Sequence, residues 1–522
     1  MITSLFNFEN IFADLETKIA LEQEVFPAYI NTCRWFAGKA REVRQLTIEN
    51  QLDFKPNSNL LAYILILKIE YTEGESENYF LPISFINSFE LSENEIHPKG
   101  IIADASFNNI IGQLVDATYD TRFQQAVFQC ISNNTYLNNG DQSLIFKKGK
   151  GLLSNDTLNA ISSKVLLVEQ SNSSIIYGEK YFLKLYRKLF TEANPEVEMV
   201  EFLTENSDYK NIPSFADSIS WVDKNKQLTT LGMMQQMIDN QADTWVATNK
   251  SLNSFINAFV KKEFLIDENI FETVELLAQR TAEMHLGLYS PLSISTFSPQ
   301  KFDETYRIFL HNRIQKLLEN RYNLIIDCYQ KLEGEAQKLA WDFMEAKELI
   351  DEFIEEILNK KLYSLRTRIH GDYHLGQILE TASDFIIIDF EGEPESSIVD
   401  RKIKHSPLKD VAGIIRSYHY AISAKFFNDE AVANSDKKRI AKASERWYGL
   451  IQKTFLEKYF STFGKPHPLF KNNNEINFLL LVYLLEKAVY ELGYEVNYRP
   501  DWIKIPLKGI VDVIREIEKL KM

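Results

Sequence analysis

Two polar clusters carry side chains suited to chemistry. One is Arg368-Ile-His-Gly-Asp-Tyr-His-Leu-Gly-Gln-Ile-Leu379; the other is Ile386-Ile-Ile-Asp-Phe-Glu-Gly-Glu-Pro394. Phosphoryl transfer needs a carboxylate to orient the attacking hydroxyl, oxygen ligands for a divalent ion, and a cation on the nucleotide phosphates. Asp372 suits the first task. Gln377 and Asp389 suit the second, since Mg2+ favours oxygen donors, and Lys184 suits the third. His-Gly-Asp alone, or Asp-Phe-Glu alone, is ordinary and reads as structural. The ordered set is not ordinary, with Asp389 following Gln377 by twelve residues. His370 is expected to orient its loop by hydrogen bonding. Zinc ligation by His370 and His374 is the lesser alternative, because a typical carboxylate ligand is not evident nearby.

The elements that must hold these groups follow from periodicity. Both clusters trail strand-like runs, at 366–369 and 385–389, so a rigid element can aim each set of side chains. Lys184 lies in Tyr181-Phe-Leu-Lys-Leu-Tyr186, a strand, preceded by strands at 165–168 and 175–177 around the polar turn Glu169-Gln-Ser-Asn-Ser-Ser174. Asn194-Pro195 opens a helix, proline being favoured in a first helical turn. Residues 228–237 read as a further strand. Nearer the N-terminus, 11–30 is expected to be helical, 61–71 a buried strand and 79–85 its returning partner, while 110–132 has helical spacing. Beyond about residue 240 the period is mostly 3.6, at 272–288, 306–332, 336–358, 410–427, 436–459, 476–493 and 508–521. The layout is α+β: a β-rich cap over 1–100, a small lobe over 101–240 and a mainly helical lobe over 241–522.

Composition narrows the function classes. The chain has 522 residues, 58 basic against 73 acidic, for a net charge of −15. That balance works against a general nucleic-acid binder, which presents a basic surface. Cys33, Cys130 and Cys328 are far apart and odd in number, which fits a reducing compartment. The first lysine is Lys18, so no basic leader is evident, and the most apolar run, 60–69, is too short to span a bilayer. A cytoplasmic protein without membrane or nucleic-acid partners is expected.

Near the end, Glu486-Lys-Ala-Val-Tyr-Glu-Leu-Gly-Tyr-Glu-Val-Asn-Tyr-Arg-Pro-Asp-Trp502 combines aromatic rings with carboxylate, amide and guanidinium groups, the mixture that sugar sites use. Tyr490, Glu491, Glu495, Asn497, Arg499 and Trp502 are the candidate acceptor residues. The competing reading makes Tyr494 and Trp502 core and pairs Glu491 with Arg499 for structure alone. Arg34, Trp35 and Lys39 are expected to pack rather than react. Asp410 is expected to prop the catalytic loop, and Tyr418 and Tyr420 to be core, the alternative being that one tyrosine faces the cleft.

The ordered set resembles the aminoglycoside-phosphotransferase-like branch of the protein-kinase-like superfamily, and within it the maltokinases. Matching segments include Arg34-Trp-Phe-Ala-Gly-Lys-Ala-Arg41, Leu183-Lys-Leu-Tyr-Arg187, Asn194-Pro-Glu-Val-Glu198, Thr230-Leu-Gly-Met233, Ser406-Pro-Leu-Lys-Asp-Val-Ala-Gly413 and Arg499-Pro-Asp-Trp502. The resemblance implies a protein-kinase-like bilobal fold with an extra N-terminal cap, ATP and Mg2+ as cofactors, and phosphorylation of maltose to maltose 1-phosphate. That product would feed α-glucan (glycogen) synthesis, with a functional link to trehalose synthase and a maltosyltransferase. By the same resemblance Asp372 is the catalytic aspartate, Gln377 and Asp389 hold metal, and Lys184 meets ATP. The helix partner of Lys184 is Glu198, which fits the family's N-P-x-x-E, or Glu196. Ser171, Asn172, Ser173 and Ser174 lie where a protein kinase has its Gly-rich loop, although no G-x-G-x-x-G is present. Alternatives are a kinase for glucosamine or glucose, and a catalytically silent kinase-like protein that binds sugar or a partner.

Overall fold

The run Ala62-Tyr-Ile-Leu-Ile-Leu-Lys-Ile-Glu-Tyr71 is apolar at nearly every position, a pattern suited to a strand covered on both faces. The computed structural model, which describes residues 2–91, 96–153, 161–167, 171–240, 242–260, 269–291, 295–428, 437–464 and 466–521, shows why. In it β1 (Ile2–Ser4), β2 (Val43–Phe54), β3 (Ala62–Tyr71), β4 (Glu77–Asn87), β5 (Ile101–Phe107) and β6 (Ile110–Asp116) form a sheet in the order β1-β5-β6-β4-β3-β2. Ile64 and Ile66 point to one face of β3, in a core shared with a second sheet. Leu65, Leu67 and Ile69 point to the other, under Ile11, Leu21, Phe26 and Ile30 of the N-terminal helical segments. The side-chain period of two thus fills two cores from one strand.

The second sheet comprises β7 (Tyr136–Asn139), β8 (Gln142–Lys148), β9 (Ser163–Val165), β10 (Ser173–Tyr177), β11 (Tyr181–Leu185), β13 (Phe215–Val222) and β14 (Leu228–Gln236), in the order β7-β8-β13-β14-β11-β10-β9. The two-residue strand β12 (Lys188–Leu189) leaves it and joins β4 of the first sheet. The helix Thr121–Ser132 packs in the shared core through Phe123, Val127 and Ile131. Both sheets belong to one compact unit, Met1–Asn206 with Pro213–Ile238.

Two sequence expectations change here. Residues 110–132 are not one helix: β6 occupies Ile110–Asp116, and the helix begins at Thr121. The reason is the turn before β6, where Asn108 and Asn109 both adopt positive φ (48° and 64°), as the tight hairpin between β5 and β6 requires. Accordingly β5 and β6, although beyond residue 100, hydrogen-bond into the first sheet. The turn residues Glu169 and Gln170, and the helix start expected at 436, lie outside the described residues.

The other unit, Ser207–Ile212 with Asp239–Met522, is mainly helical. Long helices run over Thr244–Val260, Asn269–Leu288, Glu304–Cys328, Leu408–Asn428, Lys437–Thr462, Asn473–Tyr498 and Lys504–Lys521. The expected helix over 336–358 is two, Gly334–Glu345 and Lys347–Asn359, broken at Ala346. Small strands interrupt the helices: Leu365–Arg366 pairs with Gln300–Lys301, and Ile378–Glu380 lies between Ala242–Asp243 and Phe385–Ile387. These strands are shorter than expected. After Ile387 the chain turns at Asp389, whose φ of +65° is incompatible with a continuing strand. Asn211 closes this edge, donating to Phe385 O and accepting from Ile387 N, each at 2.8 Å. A β-rich unit and a mainly helical unit make the architecture α+β.

Candidate active site

Lys184 sits on β11, directly opposite Ser174 of β10. Its ammonium meets Glu196 at 2.9 Å, and Tyr186 donates to the same carboxylate oxygen at 2.8 Å. Asn194 sets this geometry by accepting from the backbone N–H groups of Glu196 and Val197, which caps the helix Pro195–Asn206. Of the two glutamates open in the sequence, Glu196 is therefore the salt-bridge partner and is buried. Glu198 is half-buried, its N–H bonded to Asn194 O. Ser173 and Ser174 lie on β10 rather than in a flexible loop. Ser173 Oγ accepts from Arg187 at 2.8 Å, and Ser174 is buried. Ser171 is exposed and Asn172 half-buried, just before the strand.

In the helical unit, a buried carboxylate shapes the loop that carries Asp372. Asp410 accepts from the N–H groups of His370 (2.8 Å) and Gly371 (3.0 Å), while His285 reaches it at 3.0 Å and is itself bonded to Tyr459. Burial alone would raise the Asp410 carboxyl, but His285 and His370 outweigh it and hold it below the usual range. Gly371 takes a φ of +89°, and Gly413 lets the loop lie against its helix, since a Cβ there would stand 2.3 Å from Tyr373 O. His370 Nε2 donates to Ile388 O at 2.8 Å, and its Nδ1 accepts from Asp372 N at 3.4 Å. The imidazole therefore ties the two chemical clusters together as a loop-orienting group, and both its nitrogens are engaged. Gln377 donates to Asp389 Oδ2 at 3.0 Å, so the two expected metal-binding residues are neighbours.

Asp372 has a partner that the sequence reading did not single out. Lys487, on the helix Asn473–Tyr498, lies 3.1 Å from Asp372 Oδ1. Burial presses the Asp372 carboxyl up, but Lys487, His374 and His370 outweigh it and hold the carboxyl below the usual range. His374 stands 4.0 Å away, and burial lowers its own pKa. The available signal was Glu486-Lys487, a charged pair inside the apolar stretch of that helix: such a pair must find partners. Glu486 does so too, with Arg313 at 3.1 Å and Lys409 at 3.3 Å.

The six acceptor candidates separate along this helix, because it runs unbroken to Tyr498. Tyr490 faces a cavity of about 370 Å³ whose wall includes Gly371, Arg313, Glu393, Glu486 and Lys487. Glu491 pairs with Arg416, not with Arg499. Glu495 is buried and takes a hydrogen bond from Tyr420, and burial raises its pKa. Tyr420 is thus not simply core: it also stacks on Trp502 at 5.9 Å. Trp502 and Trp245 line an open hollow of about 610 Å³ with Asn249, Lys250 and Asn253. Arg499 lies over the Trp502 and Tyr494 rings at 5.6 and 5.5 Å, and Asn497 and Tyr494 are exposed. Trp245 belongs to the helix Thr244–Val260, which packs on the Leu375–Gln377 turn of the loop that carries Asp372.

In the cap, Trp35 is buried against Tyr79 and Arg187, as expected, whereas Arg34 and Lys39 are exposed. Residues 29–120 match the family of the maltokinase N-terminal cap domain. The chain carries a maltokinase-type cap. Its fold resembles solved structures of a glucosamine kinase in complex with glucosamine, ADP and inorganic phosphate (TM-score 0.65, 15% identity, 92% of this chain and 96% of that one). A second glucosamine kinase structure matches with a TM-score of 0.63 and 14% identity over 90% and 91% of the two chains. A curated glucosamine kinase from Streptacidiphilus jiangxiensis is 25% identical over 150 residues, 28% of this chain and about a third (32%) of the relative's length. Among the described residues no helix is long and apolar enough to cross a membrane.

Proposed function

We propose that this protein is an ATP-dependent sugar kinase whose acceptor is maltose, phosphorylated at the anomeric hydroxyl. The observation that carries the reading is Asp372, held anionic on a loop whose Gln377 lies 3.0 Å from Asp389. The acceptor oxygen attacks the γ-phosphorus, its proton passes to Asp372, and the bond to the β-phosphate oxygen breaks to release ADP. Lys184, fixed by Glu196, neutralises nucleotide phosphates.

The donor chemistry of Gln377 and Asp389 fits a divalent ion such as Mg2+. Gln377 and Asp389 would hold such an ion. When bound, such an ion supplies charge neutralisation of the phosphates.

The hollow beside Trp502 and Trp245 is the proposed acceptor platform: the aromatic faces suit the apolar side of a sugar ring, and Asn249 and Asn253 suit its hydroxyls. Behind this wall, buried Glu495 takes a hydrogen bond from Tyr420, which stacks on Trp502 and so braces the aromatic face. Maltose is favoured by the cap match. Glucosamine is the second reading, favoured by the glucosamine kinases that share the fold. Maltose 1-phosphate made here would serve maltosyl transfer into α-glucan, alongside trehalose synthase, and a supply of ATP for the reaction suits a cytoplasmic protein. Phosphorus NMR of a reaction containing Mg·ATP and maltose tests the proposal. A new anomeric phosphate resonance is expected, and its appearance only with glucosamine would replace maltose as the acceptor.

A further inference from the structure

We propose that Lys487 is a positioning residue for this reaction, acting through Asp372; the inference rests on the phosphoryl-transfer reading above. The helix Asn473–Tyr498 is pinned in rotation. Leu485, Ala488 and Val489 are buried in the core, and Glu486 is locked between Arg313 and Lys409. That leaves Lys487 projecting to Asp372 Oδ1 at 3.1 Å, with the Tyr490 ring one turn on at 5.2 Å from its ammonium.

The surrounding charges make Asp372 the natural partner. From the catalytic loop the neighbours are Asp372, His370 and His374; from the segment after the Phe385–Ile387 strand, Glu393; from its own helix, Glu486 and Glu491. Glu486 is taken by Arg313 and Lys409, Glu393 lies 3.3 Å from Arg313, and Glu491 is taken by Arg416. Asp372 is the carboxylate at hydrogen-bond distance from the Lys487 ammonium. The contact engages Oδ1 and leaves Oδ2, which His374 approaches at 4.0 Å, to take the hydroxyl proton. Lys487 thus fixes both the charge and the orientation of the base.

The test measures kcat, both KM values and the pH profile of kcat/KM for the full chain and for K487M, K487Q and K487R. With a cation this close, removing it is expected to lift the acidic limb by about one pH unit or more. In K487M and K487Q, kcat is expected to fall at least about tenfold while the sugar KM moves less than about threefold. K487R keeps the wild-type limb. An acidic limb in folded K487M or K487Q that coincides with wild type overturns the proposal. A wild-type chain that releases no ADP with any sugar refutes the underlying phosphoryl-transfer reading instead, and the role of Lys487 falls with it.

Discussion

Arg187 and Asp116 meet at 2.6 Å with both side chains fully withdrawn from solvent. The same guanidinium donates to Ser173 Oγ and Thr118 Oγ1 and lies 4.9 Å over the Trp35 ring. Arg187, two residues beyond β11, therefore fastens the first sheet and its cap to β10, the strand opposite Lys184. Breaking a buried pair strands an uncompensated charge and typically costs about 3–5 kcal/mol. Arg187→Met and Asp116→Asn are each expected to lose stability of that order in urea unfolding of the full chain. Replacing both residues by apolar side chains is expected to cost less than either single change.

Lys184→Ala is expected to raise the ATP KM and lower kcat together, each by about tenfold or more, because the charge is felt in both ground and transition states. Glu196→Gln is expected to act in the same direction, more weakly, since the amide can still accept from Lys184. Steady-state kinetics with ATP varied checks both. Values near wild type would make Lys184 a strand lysine whose pairing serves only structure.

Asp217 supplies a pH prediction. It is fully buried on β13, neither carboxyl oxygen has a partner among the described residues, and burial pushes its pKa up to about 9. Its folded pKa lies above its unfolded one, so the linked stability is fully present at low pH and is lost as pH rises toward about 9. Asp217→Asn removes that slope, at most about 1.4 kcal/mol per pH unit. The variant is expected to melt higher than wild type at pH 8, with the gap closing toward pH 4. A constant gap across that range would place a charge partner near Asp217.

Trp502→Ala and Trp245→Ala are each expected to raise the sugar KM by about fivefold or more, near 1 kcal/mol, while the ATP KM stays within about twofold. If both sugar KM values stay near wild type in folded variants, the acceptor belongs in the cavity beside Tyr490.

The two candidate clusters are legible in the sequence because each is local: a strand end, a short loop, a fixed spacing. H-G-D-x-H-x-x-Q and D-F-E mark the loops that His370 joins in space. What stayed hidden depends on contacts across long sequence separations. Lys487 reaches Asp372 across 115 residues, and Arg416 reaches Glu491 across 75. Neither pairing leaves a local trace beyond charge in an apolar helix. The choice between Glu196 and Glu198 turned on helix phase, which the Asn194 cap sets and a spacing pattern does not. The spacing over 110–132 fits a helix, but Asn108-Asn109 is hairpin chemistry and starts a strand at Ile110 instead. The candidate acceptor segment reads as a helix ending near Gly493, yet the helix runs on to Tyr498 with Arg321 packed over that glycine, and so the candidates spread around it.

In the proposed reaction Asp372 takes a proton from a sugar hydroxyl during phosphoryl transfer from ATP. ADP release, coupled to an optical readout, measures it most directly: wild type and Asp372→Asn, with maltose, glucosamine, glucose or no sugar present. Sugar-dependent ADP release by wild type is expected, highest with maltose, and about 10²–10⁴-fold lower kcat in the folded Asn variant. Release that is independent of sugar, or an Asn variant that keeps more than about a tenth of wild-type turnover, would contradict it.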